Sequence, residues 1–354
     1  MTKNTINEIN IDNFLEYADA HDFGDVHFKV DPKTGLRAII AIHNTKLGPA
    51  LGGCRFYAYP NTATALYDVM RLARGMSYKS ACAGLPLGGG KSVIIKPEHI
   101  ADKRAFFHGF GDFVQELGGR YITADDSGTG IDEMDLILER TSYVASGSRF
   151  ESEPSPYTAL GVKYGIDAAV LFKLGKPTLE GIHVAIQGVG KVGYFLAERL
   201  VEAGARVTVA DVNAASCEKA KKELGATVVD INEIHKVECD VYSPCALGAS
   251  LNDHTIPEIK ATIVAGAANN QLAHHQHGVQ LLEQGILYAP DYIINAGGVI
   301  HCAYQYDPKM VTNRERQIER IYDTLMTIFE RSKVDTKSTA QVADCIAEEI
   351  LFNE

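Results

Sequence analysis

The sequence predicts an α/β protein of two domains, the second built on a parallel sheet with helices on both faces. Three observations carry this expectation. The chain has 354 residues, long enough for two cores of ordinary size. Beyond about residue 180, short apolar strand-like runs alternate with helical patterns, at residues 182–187, 206–210, 226–229, 240–242 and 262–265. A glycine-rich turn, residues 188–193, stands between the first of those strands and a helix.

Composition narrows the class. Hydrophobic residues make up 46% and charged residues 22%, as in a globular protein. A net charge of -11 disfavours a nucleic-acid binder, which needs clustered Lys and Arg. No run of about 18 apolar residues suggests a membrane span. The polar start, residues 1–13, lacks the basic flank and apolar stretch of a secretory signal. The seven cysteines (54, 82, 217, 239, 245, 302 and 345) are odd in number, widely spaced and without a CxxC pair. Reduced thiols and a cytoplasmic location are therefore expected.

In the first half, residues 14–18 read as a short helix. Residues 26–30 and 36–43 read as strands of a hairpin, turned by Asp31-Pro32-Lys33-Thr34-Gly35. Residues 50–59 read as extended, and Leu66, Val69, Met70, Ala73 and Met76 recur at helical spacing over 62–80. Gly88-Gly89-Gly90 reads as a turn into a strand, 92–95. A helix (101–117), a strand (120–124) and a helix (131–140) follow. The Ser-, Glu- and Pro-rich stretch 146–157 reads as a hinge. Residues 314–353 are helical in pattern. The expected domains are residues 1–147 and 148–334, with a C-terminal helix of about 335–354 packing back on the first.

The turn Gly188-Val189-Gly190-Lys191-Val192-Gly193 follows the strand 183–187 and precedes the helical run 194–203. Gly188 suits a tight turn, Gly190 a close approach of backbone to a pyrophosphate, and Gly193 close packing of helix on strand. The helix N-terminus adds N–H donors and a positive dipole. Asp211 ends the next strand, 18 residues after Gly193 (211 − 193), where an acid can bond the adenosine ribose hydroxyls. A carboxylate there repels a 2′-phosphate, so NAD is expected rather than NADP.

A nucleotide fold names no substrate. The first half adds glycine clusters beside cations: Gly52-Gly53-Cys54-Arg55, Gly75-Met76-Ser77-Tyr78-Lys79, Gly88-Gly89-Gly90-Lys91 and, further on, Ala124-Asp125-Asp126. With Gly48-Pro49-Ala50-Leu51, Pro154-Ser155-Pro156, Pro244-Cys245-Ala246-Leu247-Gly248, Ala268-Asn269-Asn270-Gln271-Leu272 and Asn295-Ala296-Gly297-Gly298, they run in one order over about residues 25–305. In these segments the chain resembles the Glu/Leu/Phe/Val amino-acid dehydrogenase family, and within it the leucine-acting branch.

The resemblance implies an N-terminal α/β substrate and oligomerisation domain, a Rossmann-type NAD-binding domain and an active site in the cleft between them. Cleft closure would expel water during turnover. Lys79 would hold the substrate α-carboxylate. Lys91 would act as general base, which needs a pKa lowered by burial and a neighbouring cation, with Lys79 as that neighbour. Asp126 would exchange protons with the amine and water. Gly52, Gly53 and Met76 would line the substrate, and Asn270 would meet its amine. Ser155, Thr158, Ala246 and Asn269 would line the nicotinamide end of NAD, beside Gly188, Val189, Gly190, Lys191, Val192, Gly193 and Asp211. The implied partners are an L-amino acid, its 2-oxo acid, ammonia and further copies of the chain, as many as eight.

Glutamate-acting relatives carry a lysine where this chain has Leu51. A second buried carboxylate would lack a partner here. The expected side-chain pocket, Leu51, Ala124, Val144, Ala145, Val299 and Cys302, is small and apolar. It points to leucine, isoleucine and valine. Ala145 and Cys302 stand where that branch usually has threonine and valine, and so keep phenylalanine and tryptophan as the alternative. A non-catalytic NAD sensor is the other alternative, and it would have no need of Lys79, Lys91 and Asp126. His274-His275-Gln276-His277 is expected to serve a helix face and to hold no metal. Glu151-Ser152-Glu153 is expected to be a solvated loop.

Overall fold

The computed structural model describes residues 13–150 and 153–353; the polar N-terminal stretch read above for a targeting signal lies mostly outside them. The chain forms two compact units. The first holds the described residues up to 150 with Cys302–Met310 and residues 350–353; the second holds Glu153–His301 and Val311–Glu349.

The first unit runs α1 (Phe14–Ala20), β1 (Asp25–Asp31), β2 (Leu36–Asn44), β3 (Ala50–Tyr57), α2 (Thr62–Cys82), β4 (Gly88–Ile95), α3 (Lys103–Glu116), β5 (Tyr121–Asp125) and α4 (Ile131–Leu138). Its mixed sheet has the order β1-β2-β4-β3-β5; β3 is parallel to β4 and β5, and β2 is antiparallel to β1 and β4. Both faces are covered, which explains the nearly unbroken apolar run of β2. Leu36, Ala38, Ile40 and Ile42 join the core under α3 and α4. Ile39 and Ala41 join the core under α1 and α2. The period of two along each strand thus defines an α2 face and an α3 face.

Helix α2 starts where the side chain of Asn61 accepts the Thr64 N–H at 2.8 Å, a cap that satisfies one orphan donor. It buries Leu66, Val69, Met70 and Ala73, the stripe its spacing predicts.

Gly88-Gly89-Gly90, expected as a turn, is instead the start of β4. The glycines are there because side chains have no room. A Cβ on Gly88 would lie 2.0 Å from the Asn44 carbonyl oxygen, and one on Gly89 would lie 1.9 Å from the Ser77 nitrogen.

The second unit runs α5 (Ser155–Leu174), β6 (His183–Gln187), α6 (Lys191–Glu202), β7 (Arg206–Ala210), α7 (Ala214–Leu224), β8 (Thr227–Val228), β9 (Val241–Pro244), β10 (Ile263–Val264), α8 (Gln276–Glu283), β11 (Leu287–Tyr288), α9 (Asp291–Ile294), then α10 (Gly297–Tyr306), which crosses into the first unit, α11 (Arg314–Asp335) and α12 (Thr339–Phe352). Its sheet is parallel throughout, in the order β11-β10-β9-β6-β7-β8. The order reverses between β6 and β9. Such a switch point is where open parallel sheets bind ligands, beyond the carboxyl ends of the strands. The segment 314–353, helical in pattern, breaks at Thr336, whose φ of 53° is left-handed. The last turn of α12 belongs to the first unit, where the Lys46 Nζ donates to the Asn353 carbonyl at 2.5 Å.

A buried polar contact ties α2 to the sheet. His43, on β2, is 2% exposed. Its Nε2 lies 3.1 Å from the His21 carbonyl and must donate to it, so the neutral ring accepts at Nδ1 from the Ser77 hydroxyl, 2.8 Å away. Burial, reinforced by the nearby Arg74, pushes the His43 pKa from 6.5 down to about 4. Between those values the unfolded chain binds the proton and the folded chain does not, so stability falls as pH drops from about 6.5 towards about 4. Between about pH 6.5 and about pH 5 the loss should be about 2 kcal/mol. His43→Gln should flatten that part of the stability profile in urea unfolding; parallel profiles for the two proteins would exclude His43 as its cause.

Candidate active site

In the first unit, strand alternation places Leu51, Gly53 and Arg55 of β3 and Lys91 of β4 on the α2 face. Lys91 is 6% exposed, and its Nζ lies 3.0 Å from Oδ2 of Asp126, just past the end of β5. Asp126 is set by its own loop: its N–H donates to the Thr129 hydroxyl at 2.9 Å, and that hydroxyl donates to the Cys54 carbonyl at 2.8 Å. Burial alone would push the Asp126 carboxyl up, but Lys91 and Arg55 outweigh it and hold the group below the usual carboxylate value.

The paired glycines make this approach possible. A Cβ on Gly52 would fall 1.7 Å from the Gly90 carbonyl oxygen. One on Gly53 would fall 2.9 Å from the Asp126 Cβ and 3.3 Å from the Lys91 Nζ. Gly53 is therefore the floor of the Lys91–Asp126 pair. Beneath Gly52, the buried Tyr121 hydroxyl donates to its carbonyl at 2.6 Å and lies 3.0 Å from the Ser92 Oγ. Lys79 sits in the last turn of α2, and Met76, one turn earlier, is half-buried. Ala145 is buried, its N–H donating to the Thr123 carbonyl at 2.7 Å, which brings it beside β5 and Ala124. Val144 and Leu51 are buried and Cys302 is partly so.

In the second unit the glycine-rich turn lies at the switch point. Gly188 has a φ of 95°, which only glycine adopts readily, and a Cβ there would meet Ala246 at 2.8 Å. Ala246 thus stands beside the turn. A Cβ on Gly193 would lie 2.0 Å from the Gly188 carbonyl oxygen, whereas nothing lies within 4 Å of one on Gly190. The first arrangement packs α6 on β6; the second leaves an open backbone face at the N-terminus of α6, as a bound pyrophosphate requires. Asp211 accepts the Val189 N–H at 2.8 Å and the Asn213 N–H at 2.8 Å, which fixes its carboxylate against the turn. Val192 is half-buried.

Residues far apart in sequence meet here. Of the acidic stretch expected as a solvated loop, Glu151 and Ser152 lie outside the described residues. Glu153 is a structural partner as well as a loop residue: its Oε1 is 3.0 Å from the Lys191 Nζ and accepts from the Ser155 hydroxyl at 3.0 Å. Gly297 and Gly298 lie against Tyr157 and Thr158 at the start of α5. Asn295 donates through Nδ2 to the Asn269 Oδ1 at 2.7 Å and to the Ala267 carbonyl at 3.0 Å. With its oxygen engaged, the Asn269 amide is oriented. Asn270 holds a φ of 51°, a strained value for a non-glycine residue, while its carbonyl accepts the Ala249 N–H at 2.7 Å. Val299 is half-buried in α10.

The chain matches two family descriptions: Glu/Leu/Phe/Val dehydrogenase, dimerisation domain, over residues 22–143, and Glutamate/Leucine/Phenylalanine/Valine dehydrogenase over 213–348. It is 49% identical over 341 residues to leucine dehydrogenase of Bacillus cereus, covering 95% of this chain and 92% of the relative. The chain belongs to the Glu/Leu/Phe/Val dehydrogenase family. Within it, phenylalanine dehydrogenase of Bacillus thermotolerans is 43% identical, covering 96% of this chain and 91% of that one. The crystal structure of L-tryptophan dehydrogenase from Nostoc punctiforme superposes with a TM-score of 0.86 at 41% identity, covering 96% and 98% of the two chains.

Membership of this dehydrogenase family gives the lysine–carboxylate pair a chemical context. Four residues that hold the site have no role legible in the sequence: Arg55, Tyr121, Thr129 and Asn295. Arg55 and Asn295 do stand in glycine-rich motifs, beside Gly53 and Gly297, and that placement is the available signal. The histidine cluster is also clarified. His274 and His275 precede α8 and so do not line a helix face, while the His277 Nδ1 accepts the His274 N–H at 2.9 Å. Among the described residues no three His, Cys, Asp or Glu side chains group as a metal site.

Gly53→Ala should drive the Lys91–Asp126 pair apart. Turnover should fall at least about tenfold, with a loss of about 1–3 kcal/mol in stability. Steady-state kinetics and thermal unfolding check this, and unchanged turnover would contradict the packing argument.

Proposed function

We propose that this protein oxidises a branched-chain L-amino acid, leucine with isoleucine and valine, to its 2-oxo acid and ammonia with NAD, reversibly. The Lys91–Asp126 pair on the floor of Gly53 carries the reading. A buried cation and a partly buried anion at 3.0 Å, packed against the Gly53 backbone, suit a reaction that moves protons around a small substrate.

When bound, NAD supplies the acceptor for the hydride leaving the substrate α-carbon. The residues that would hold it are Ser155 and Thr158, the turn 188–193, Asp211, Ala246 and Asn269. The open face at Gly190 and the Asp211 carboxylate fixed beside the turn support that fit and favour NAD over NADP. Lys79 fixes the substrate α-carboxylate. After oxidation the substrate carries a C=N bond. Before that step Asp126 takes a proton from the substrate ammonium. Lys91, once neutral, takes a proton from the water that adds to the C=N carbon, and Asp126 returns its proton to the nitrogen, so that ammonia leaves and the carbonyl forms. Asn270 meets the amine.

Leucine specificity is supported by the likeness to leucine dehydrogenase and by Leu51, which offers no cation to a second carboxylate. A second reading, an aromatic substrate, is favoured by the small Ala145 and by the structural likeness to the tryptophan enzyme. The presence of Lys91 and Asp126 as a partly buried ion pair favours an enzyme over a sensor. We infer a homo-oligomer, in line with the matched dimerisation domain, with an octamer as the expected size. The free cysteines fit the cytoplasm. No helix among the described residues is long and apolar enough to cross a membrane.

NADH formation measured with leucine, isoleucine, valine, phenylalanine, tryptophan and glutamate decides the substrate. The highest kcat/KM should fall to a branched-chain amino acid; an aromatic winner would move the assignment to the second reading. Lys91→Ala should lower kcat by about a thousandfold or more while NAD still binds. Equal loss of NAD affinity, by fluorescence titration, would contradict the role given to Lys91.

A further inference from the structure

Arg55 reaches two carboxylates on different elements. Its Nε donates to Asp126 Oδ2 at 3.0 Å, and its Nη1 donates to Asp68 Oδ2 at 2.7 Å. Asp68 lies on α2, and the Tyr59 hydroxyl donates to the same Oδ2 at 2.7 Å. Arg71 lies 3.3 Å from its Oδ1. The guanidinium is thus locked in a partly buried chain, Lys91–Asp126–Arg55–Asp68–Tyr59.

We propose that Arg55 is a positioning residue for the reaction: it pins Asp126 by Oδ2 and leaves Oδ1 as the oxygen that exchanges protons with substrate. The inference rests on the reading of Asp126 as the proton-exchanging carboxylate. Two facts carry it. Both cations, Lys91 and Arg55, meet the same oxygen, and Oδ1 has no ion pair among the described residues. The arginine also bridges Asp126 to the helix that bears Lys79. Asp68 and Lys79 are 11 residues apart (79 − 68) on α2. At about 100° per residue that is roughly three turns and one face. Arg55 therefore sets the place of α2, and of its lysine, relative to Asp126.

The charges agree. When Lys91 gives up its proton, the fixed cation of Arg55 still faces Asp126, so the carboxylate readily passes on any proton it takes up. Asp68 adds an anion to the cluster and Arg71 a cation at its rim. The Cys54 thiol is pushed up to about 12 by burial, and the Tyr59 and Tyr121 phenols are pushed up as well, burial again being the largest cause.

The test uses the full-length enzyme with its best amino acid and NAD. Arg55→Gln should lower kcat by about 50-fold or more, far beyond any rise in KM, and move the acid limb of kcat/KM to higher pH by at least about 0.5. Arg55→Lys keeps the charge without the fork. It should return the limb to its wild-type place and leave kcat at least about fivefold low. Full recovery of kcat in Arg55→Lys, or Arg55→Gln within about threefold of wild type, would overturn the proposal. If Arg55→Gln does not fold, Asp68→Asn reads the other end of the chain: kcat should fall about fivefold with the NAD KM unchanged, and an unaltered kcat would overturn the proposal. Asp126→Asn separates the two readings. Its activity, if retained, would remove the role of Asp126 itself, whereas loss there with Arg55→Gln intact would remove only Arg55.

Discussion

The structure of the first unit turns on one constraint: a lysine carried by a buried strand must have its charge met within the protein. Lys91 lies in the middle of a sheet covered on both faces, where an uncompensated ammonium would be destabilising by several kcal/mol. Asp126 answers it at 3.0 Å, and everything near the pair serves to bring that carboxylate to that place. The Thr129 hydroxyl fixes the loop, Arg55 shares the oxygen, and Asp68 holds Arg55. The same desolvation that makes the pair obligatory makes it chemically useful, because proton positions in a low dielectric respond strongly to a neighbouring substrate.

The close approach of the segments around the pair comes from missing side chains. Gly52, Gly53, Gly88, Gly89 and Gly90 allow β3 and β4, and the end of α2, to approach until a single Cβ would collide with a neighbouring segment. Glycine loses conformational entropy on folding, so such a concentration within two strands weakens them locally. Tyr121, donating to the Gly52 carbonyl from a fully buried position, is one of the contacts that offset this.

The second unit solves a different problem. An all-parallel sheet reverses its strand order between β6 and β9, and the loops beyond those strands part there. Gly188 after β6 and Ala246 after β9 become neighbours for that reason, although 58 residues separate them (246 − 188). The α5 start and the Asn269 loop are held by Glu153, Gly297, Gly298 and Asn295 rather than by the sheet itself.

The order of strands and helices, the glycine-rich turn with Asp211, and the family resemblance were legible in the sequence. They depend on local periodicity and on short motifs whose spacing is set by the backbone. Leu36–Asn44 reads as a strand because both its faces are buried, and Thr62–Cys82 as a helix because one stripe is apolar. The strand nature of Gly88-Gly89-Gly90 was not legible: three glycines signal a turn unless the neighbouring backbones that exclude their side chains are known. Nor was the partnership of Arg55. An arginine in a motif has a charge in the sequence, but which carboxylates it meets depends on the crossing of β3 with α2 and with the loop after β5. The sequence by itself determined that Lys91 and Asp126 are present on a fold of this kind. Only the tertiary structure decided that they touch, that they share one oxygen with Arg55, and that Gly53 lies beneath them, because those contacts join segments tens of residues apart through a sheet that no local pattern specifies.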